Sequence, residues 1–116
     1  MKIRMSVDGL ELTSELEKYA SLKLRRLGKF VPRRYRAESA AEVQFALVKR
    51  KGAKYNTCGI SFTLDGTTLK AEETTLHMYT ALDVAAVHIE HQLKDFARNT
   101  LRRRLRTRLK RFLRRK

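Results

Sequence analysis

One cysteine and three histidines are the residues of this chain best equipped for metal or nucleophilic chemistry, and their spacing supports little of it. His88 and His91 stand three apart, with Asp95 four further on, so one face of a helix can carry all three. Zinc accepts that nitrogen and oxygen set, but a fourth donor is missing. The plainer reading is two imidazoles that face solvent or a polyanion, and no metal is assigned. Cys58 lies in an alternating strand pattern, where a small core residue is expected. The acids are scattered, the glycines stand singly, and no phosphate loop or nucleophile–base pair emerges. The chain is not expected to be an enzyme or to need a cofactor.

Basic residues carry the stronger signal. Residues 1–95 hold 16 Lys/Arg and 12 Asp/Glu, whereas residues 96–116 hold 11 Lys/Arg and no acid. The net charge of +15 is therefore a mildly basic globule followed by a strongly basic extension, "RNTLRRRLRTRLKRFLRRK". Such asymmetry points to a polyanionic partner. On one helical pattern Lys23, Arg25 and Arg26 lie together; on another, His88, His91, Lys94 and Arg98 step along one side. The outward sides of these two helices either form one positive surface or are ordinary solvated faces. Arg102, Arg103, Arg104, Arg106 and Arg108 extend the charge into the tail, and Lys49, Arg50, Lys51 and Lys54 cluster at a turn. Contacts of this kind bind phosphates, weaken steeply with salt and carry no base sequence information.

The elements that must hold these residues follow from periodicity. "KIRMSV" alternates and reads as a strand, and "TSELEKYASLKLRRLG" switches to helical spacing through Leu16, Tyr19 or Ala20, Lys23 or Leu24, and Leu27. Thr13 or Ser14 can cap that helix, Ser14 and Glu17 have capping-box spacing, and Gly28 suits a left-handed end before Pro32. After a basic link, "RRYR", a second strand places Val43, Phe45 and Leu47 on one face. A third aligns Cys58, Ile60, Phe62 and Leu64, and Asp65-Gly66 marks a two-residue hairpin turn into a fourth, "TTLKAEE". Helical spacing resumes near Leu76 and runs through Tyr79, Leu82, Ala86, Ile89 or Ala85, Leu93 and Phe96, with Thr74 or Thr75 as cap. Tyr79 is expected in the core. Leu101, Leu105, Leu109 and Phe112 or Leu113 are expected to continue the apolar stripe into the tail, with arginines elsewhere.

The predicted order is β-α-β-β-β-α, an α+β two-layer sandwich with a four-stranded sheet, two helices on one face and a basic C-terminal helical extension. Residues 1–98 form one domain and residues 99–116 the tail. No signal peptide and no membrane span is expected, because residues 1–20 contain acids and nothing approaches eighteen consecutive apolar residues. The single cysteine agrees with a cytoplasmic setting.

The start "MKIRMSVDGLELTSELEKYASLKLRRLGKF", the segment "GTTLKAEETTLHMYTALD" and "HQLKDF" resemble the ribosome hibernation-promoting factor and protein Y family, in its short form. The matching features are Thr13 and Leu16, Leu69 to Glu72, Met78 to Asp83, and Gln92-Leu93, in unbroken order over about residues 1–98. The resemblance implies a cytoplasmic, stress-related translation regulator that enters the small ribosomal subunit. There it would bind rRNA at the decoding region and exclude mRNA and tRNA. Lys23 and Arg26 fall on the family's basic positions. His88 and His91 stand where relatives carry Lys and Arg, and Asp95 interrupts a more basic run, so part of the contact is expected to move towards Arg98 and the tail. Histidine near phosphate would also tighten binding at lower pH. The partner is then the small subunit and its rRNA, with no membrane and a monomeric free chain. Two other readings stay open: a general structured-RNA binder, and a membrane- or protein-docking module acting through the amphipathic tail.

Overall fold

A computed structural model describes residues 1–114; Arg115 and Lys116, the last two tail residues, lie outside the described part. Four strands, β1 (Lys2–Asp8), β2 (Ala40–Arg50), β3 (Ala53–Leu64) and β4 (Thr67–Thr75), form one sheet in that order. β1 runs parallel to β2, and the remaining pairs are antiparallel. Helix α1 (Ser14–Gly28) makes the crossover that a parallel pair requires. Helix α3 (Met78–Arg114) follows β4, and a short α2 (Arg33–Arg36) lies between α1 and β2. The α+β sandwich expected from periodicity is therefore present, with one addition. The basic link "RRYR" is a helical turn rather than a loop, opened by the Pro32 carbonyl, which accepts from the Tyr35 amide at 2.9 Å.

Alternation decides which face of the sheet is buried. Ala41, Val43 and Phe45 of β2 and Cys58, Ile60, Phe62 and Leu64 of β3 are almost fully enclosed. They meet Leu16, Ala20, Leu24 and Leu27 of α1 and Ala81, Leu82, Ala85, Ala86, Ile89 and Leu93 of α3. Truncating Phe45 or Phe62 to alanine would cost about 3–5 kcal/mol, most of an ordinary domain's stability. Both hairpins turn in two residues, Lys51-Gly52 and Asp65-Gly66, and all four residues have positive φ. Turns of this hand match the strand twist.

Three local expectations are corrected. Thr13 caps α1 through its Oγ1, 3.2 Å from the Leu16 amide, so Ser14 lies inside the helix and forms no capping box with Glu17. Gly28 is not left-handed. The helix instead tightens into i→i−3 bonds from Lys29, Phe30 and Val31, and a Cβ on Gly28 would press within 3.1 Å of the Met1 side chain. Thr75 ends β4 and accepts from the His77 amide at 3.1 Å, and His77, not a threonine, immediately precedes α3 and accepts its first backbone bond from Ala81.

Candidate nucleic-acid interface

The outer surface of the helical layer is built around the seam between α1 and α3, which run side by side in the same direction. Tyr19 Oη donates to Asp83 Oδ1 at 2.6 Å, and Lys23 Nζ lies 3.1 Å from the same oxygen. Tyr79 packs edge-on against Tyr19 with ring centroids 5.0 Å apart. Its place at the mouth of the seam leaves it 42% exposed, so it is a surface aromatic and not the core residue expected. Donating to a carboxylate, with burial adding to it, raises the Tyr19 phenol above its ordinary pKa, because the phenolate would lose that bond and face the Asp83 charge.

Further along the seam, Lys94 Nζ lies 5.1 Å from the centre of the Phe30 ring and 3.5 Å from Glu90 Oε2. Lys23 and Arg26 share a groove there with Asp83, Val87 and Glu90. Arg25 does not join them. It turns to the other flank of α1, beside Lys29 and Arg36. His88 also turns away, towards the β4 edge, with Nε2 3.9 Å from Glu73 Oε2, while Asp95 pairs with Arg98. The helical face read from spacing alone is thus spread over two flanks and a crest, and Lys23, Lys94 and Arg98 each have a carboxylate neighbour.

Beyond Arg98 the surroundings change. α3 continues unbroken to Arg114, and residues 101–114 are all exposed. Being the continuation of an already nucleated helix, this stretch adds a backbone bond per residue without a new nucleus. Its leucines do not prolong the core stripe. From Phe96 to Leu101 a helix advances five residues, a net rotation of about 140°, and the tail leucines as a group lie about half a turn from the core face. Leu101, Leu105, Leu109 and Leu113 therefore point away from the sheet side, each more than half exposed. The side that α3 buries earlier becomes, in the tail, a face of Arg103, Arg104, Thr107, Arg108 and Arg111. Together with Arg34 of α2 these line one cavity.

Lys49, Arg50, Lys51 and Lys54 sit at the tip of the β2–β3 hairpin, all exposed. Asn56, nearby on β3, donates to the Leu76 carbonyl just before α3, which puts this tip at the end of the sheet opposite the tail. The molecule is 69 Å long, so the two clusters cannot contact one phosphate group. Spacing does not single out Arg34, and "RRYR" is its only signal in the sequence. The Tyr19–Asp83 bond links positions 64 apart, beyond any local pattern. Cys58 is buried, which pushes its thiol up to about 12 and leaves it unreactive. Among the described residues no helix is long and apolar enough to cross a membrane.

The family model described as "Sigma 54 modulation protein / S30EA ribosomal protein" matches residues 3–101. No curated protein matches significantly. Among solved structures, the chain is similar to the Thermus thermophilus Protein Y N-terminal domain at 28% identity and TM-score 0.67, covering 83% of this chain and 99% of that one. It is similar in fold to a ribosomal subunit interface protein from Coxiella burnetii, at 23% identity and TM-score 0.68, covering 84% and 98%.

Proposed function

Because the chain belongs to the sigma 54 modulation protein / S30EA ribosomal protein family, we infer that it associates with the ribosome, and we propose that it is a hibernation-type translation inhibitor of the small subunit. In this reading the globule, residues 1–98, occupies the decoding region and the extension, residues 99–116, prolongs the attachment. Lys23, Arg26, Lys94 and Arg98 contact rRNA from the seam, with Arg25, His88 and His91 on its flanks. Arg102, Arg103, Arg104, Arg106 and Arg108 add contacts from the tail, and Lys49, Arg50, Lys51 and Lys54 from the far tip. Inhibition is steric: mRNA and tRNA cannot enter while the globule is seated. The mechanism uses no catalytic step or cofactor, acts in the cytoplasm and works with a monomer.

The observation that carries this reading is the family match over residues 3–101, which spans both helices of the seam and the start of the tail. Chemical footprinting of small-subunit rRNA tests it, with the full chain and with a version ending at Arg98. Protection of the mRNA and tRNA sites by both is the expected result. Uniform protection of many unrelated RNAs would replace it with general structured-RNA binding.

The exposed leucine face favours a second reading, docking of the tail on an anionic membrane or in an apolar groove of a protein. Cosedimentation with anionic vesicles decides the membrane form: strong vesicle binding with none to ribosomes would put it first.

A further inference from the structure

Five arginines from two separate elements converge on the cavity between α2 and the tail: Arg34 from one wall, and Arg103, Arg104, Arg108 and Arg111 from the other. Among the described residues no acid lines this cavity, in contrast to the α1–α3 groove, which contains Asp83 and Glu90. Guanidinium groups gathered on one cavity with no acid in its lining repel one another, and an anion bound among them relieves that repulsion.

The α2 wall is fixed against α3. Tyr35 of α2 packs edge-on against Phe96 of α3 with centroids 5.8 Å apart, where α3 leaves the sheet. Arg36 donates to the Val31 and Lys29 carbonyls, each at 2.9 Å, which locks the segment between α1 and α2. Arg34 lies with its guanidinium 5.3 Å from the centre of the Tyr35 ring, so its charged head is seated over a ring that is itself packed. On the other wall, Thr107 donates to the Arg103 carbonyl at 3.0 Å, leaving its own side chain bonded within the helix and the arginines as the groups free to bind.

The geometry points to this cleft as a seat for the phosphodiester backbone of single-stranded RNA. Guanidinium forks fit phosphate oxygens in pairs and read no base, so the seat accepts any sequence. Cations that face one another across a cleft close on a single strand from both sides. An A-form duplex is met instead by cations on a ridge, across its broad minor groove. The inference builds on the ribosomal reading, and free oligonucleotides test it so that the two can fail separately.

Fluorescence anisotropy with a single-stranded RNA dodecamer of mixed sequence, and with the same sequence as a duplex, provides the test. The full-length chain is compared with Arg34→Glu, Arg104→Glu, their double variant and Arg4→Glu, a charge change on the exposed outer side of β1. Arg34→Glu and Arg104→Glu should each weaken single-strand binding about tenfold, with the double variant much less than a hundredfold worse, since both act on one strand. Each should also flatten the slope of log affinity against log salt by about 0.7 or more. Arg4→Glu should stay within about twofold of the parent. Arg34 is exposed, so the fold should survive its change; thermal melts check this, and Arg34→Gln gives the same comparison without a new negative charge.

The proposal is overturned if Arg34→Glu and Arg34→Gln bind no worse than Arg4→Glu. It also fails if the effects of Arg34 and Arg104 multiply independently, or if the duplex binds as tightly as the strand. A lost ribosomal footprint with coupled oligonucleotide binding intact would support the cleft while removing the ribosomal reading.

Discussion

The two halves of α3 have the same backbone and opposite surroundings. Up to Phe96 the helix buries an apolar face on the sheet, and its outer side alternates cations with Asp83, Glu90 and Asp95. After Arg98 it buries nothing, carries no acid, and turns leucines outward and arginines towards α2. In the first half, charge is positioned by partners within the fold, which sets the direction of Lys23 and Lys94 and reduces their net pull on a distant polyanion. In the second, charge is left to be neutralised from outside. Specific placement and raw attraction are thus assigned to different stretches of one helix.

The contrast is broken most forcefully by stability. Leu93→Ala removes a fully buried side chain and should destabilise the protein by about 2–5 kcal/mol. Leu105→Ala should change stability by less than about 0.5 kcal/mol. Urea melts of the two variants measure the difference, and comparable losses would mean that the tail packs as part of the domain.

Next in size is the tail's share of RNA affinity. A chain ending at Arg98 keeps every core residue and should melt as the full protein does. Its affinity for single-stranded RNA should drop on the order of a hundredfold at moderate salt, and its salt dependence should become several units shallower. An unchanged salt slope in a filter-binding series would show that the first half, despite its acids, supplies the electrostatic attraction.

Most of the first half was legible in the sequence, and the second only in part. Strict alternation from Val43 to Phe45 and from Cys58 to Leu64 leaves one choice of buried face, and Asp65-Gly66 allows one kind of turn. The i, i+4 repeat of Leu101, Leu105 and Leu109 announces an amphipathic helix, yet says nothing of its phase. That phase depends on the five-residue step from Phe96, and counting it would have shown the stripe changing sides. The α2 turn was hidden because four residues show no period. Arg34 could not be assigned to the tail, since only the packing of Tyr35 on Phe96 brings the two together.

Asp83 sharpens the comparison from the other side. Asp83→Asn removes the charge that holds Lys23 and weakens the acceptor for Tyr19, at a cost of about 1 kcal/mol. With Lys23 released, RNA binding should strengthen about twofold at low salt. The tail offers no such substitution, because it has no acid to remove. Weaker binding by Asp83→Asn in the same anisotropy series would mean that the paired geometry of Lys23 matters more to the RNA than its free charge.

The smallest expected effect is a titration. Tyr19 is the phenol whose pKa is raised, first by its bond to Asp83 and then by burial. A group that ionises later in the folded state than in the unfolded one gives stability that is fully present below the unfolded value and fades as pH rises through the folded one. The seam should therefore loosen only in alkali, above about pH 10. Ultraviolet titration should show a late Tyr19 component, absent in Tyr19→Phe and moved to lower pH in Asp83→Asn. A late component that persists in Asp83→Asn would assign the shift to burial alone and remove the Tyr19–Asp83 bond as the element that orders the start of the seam.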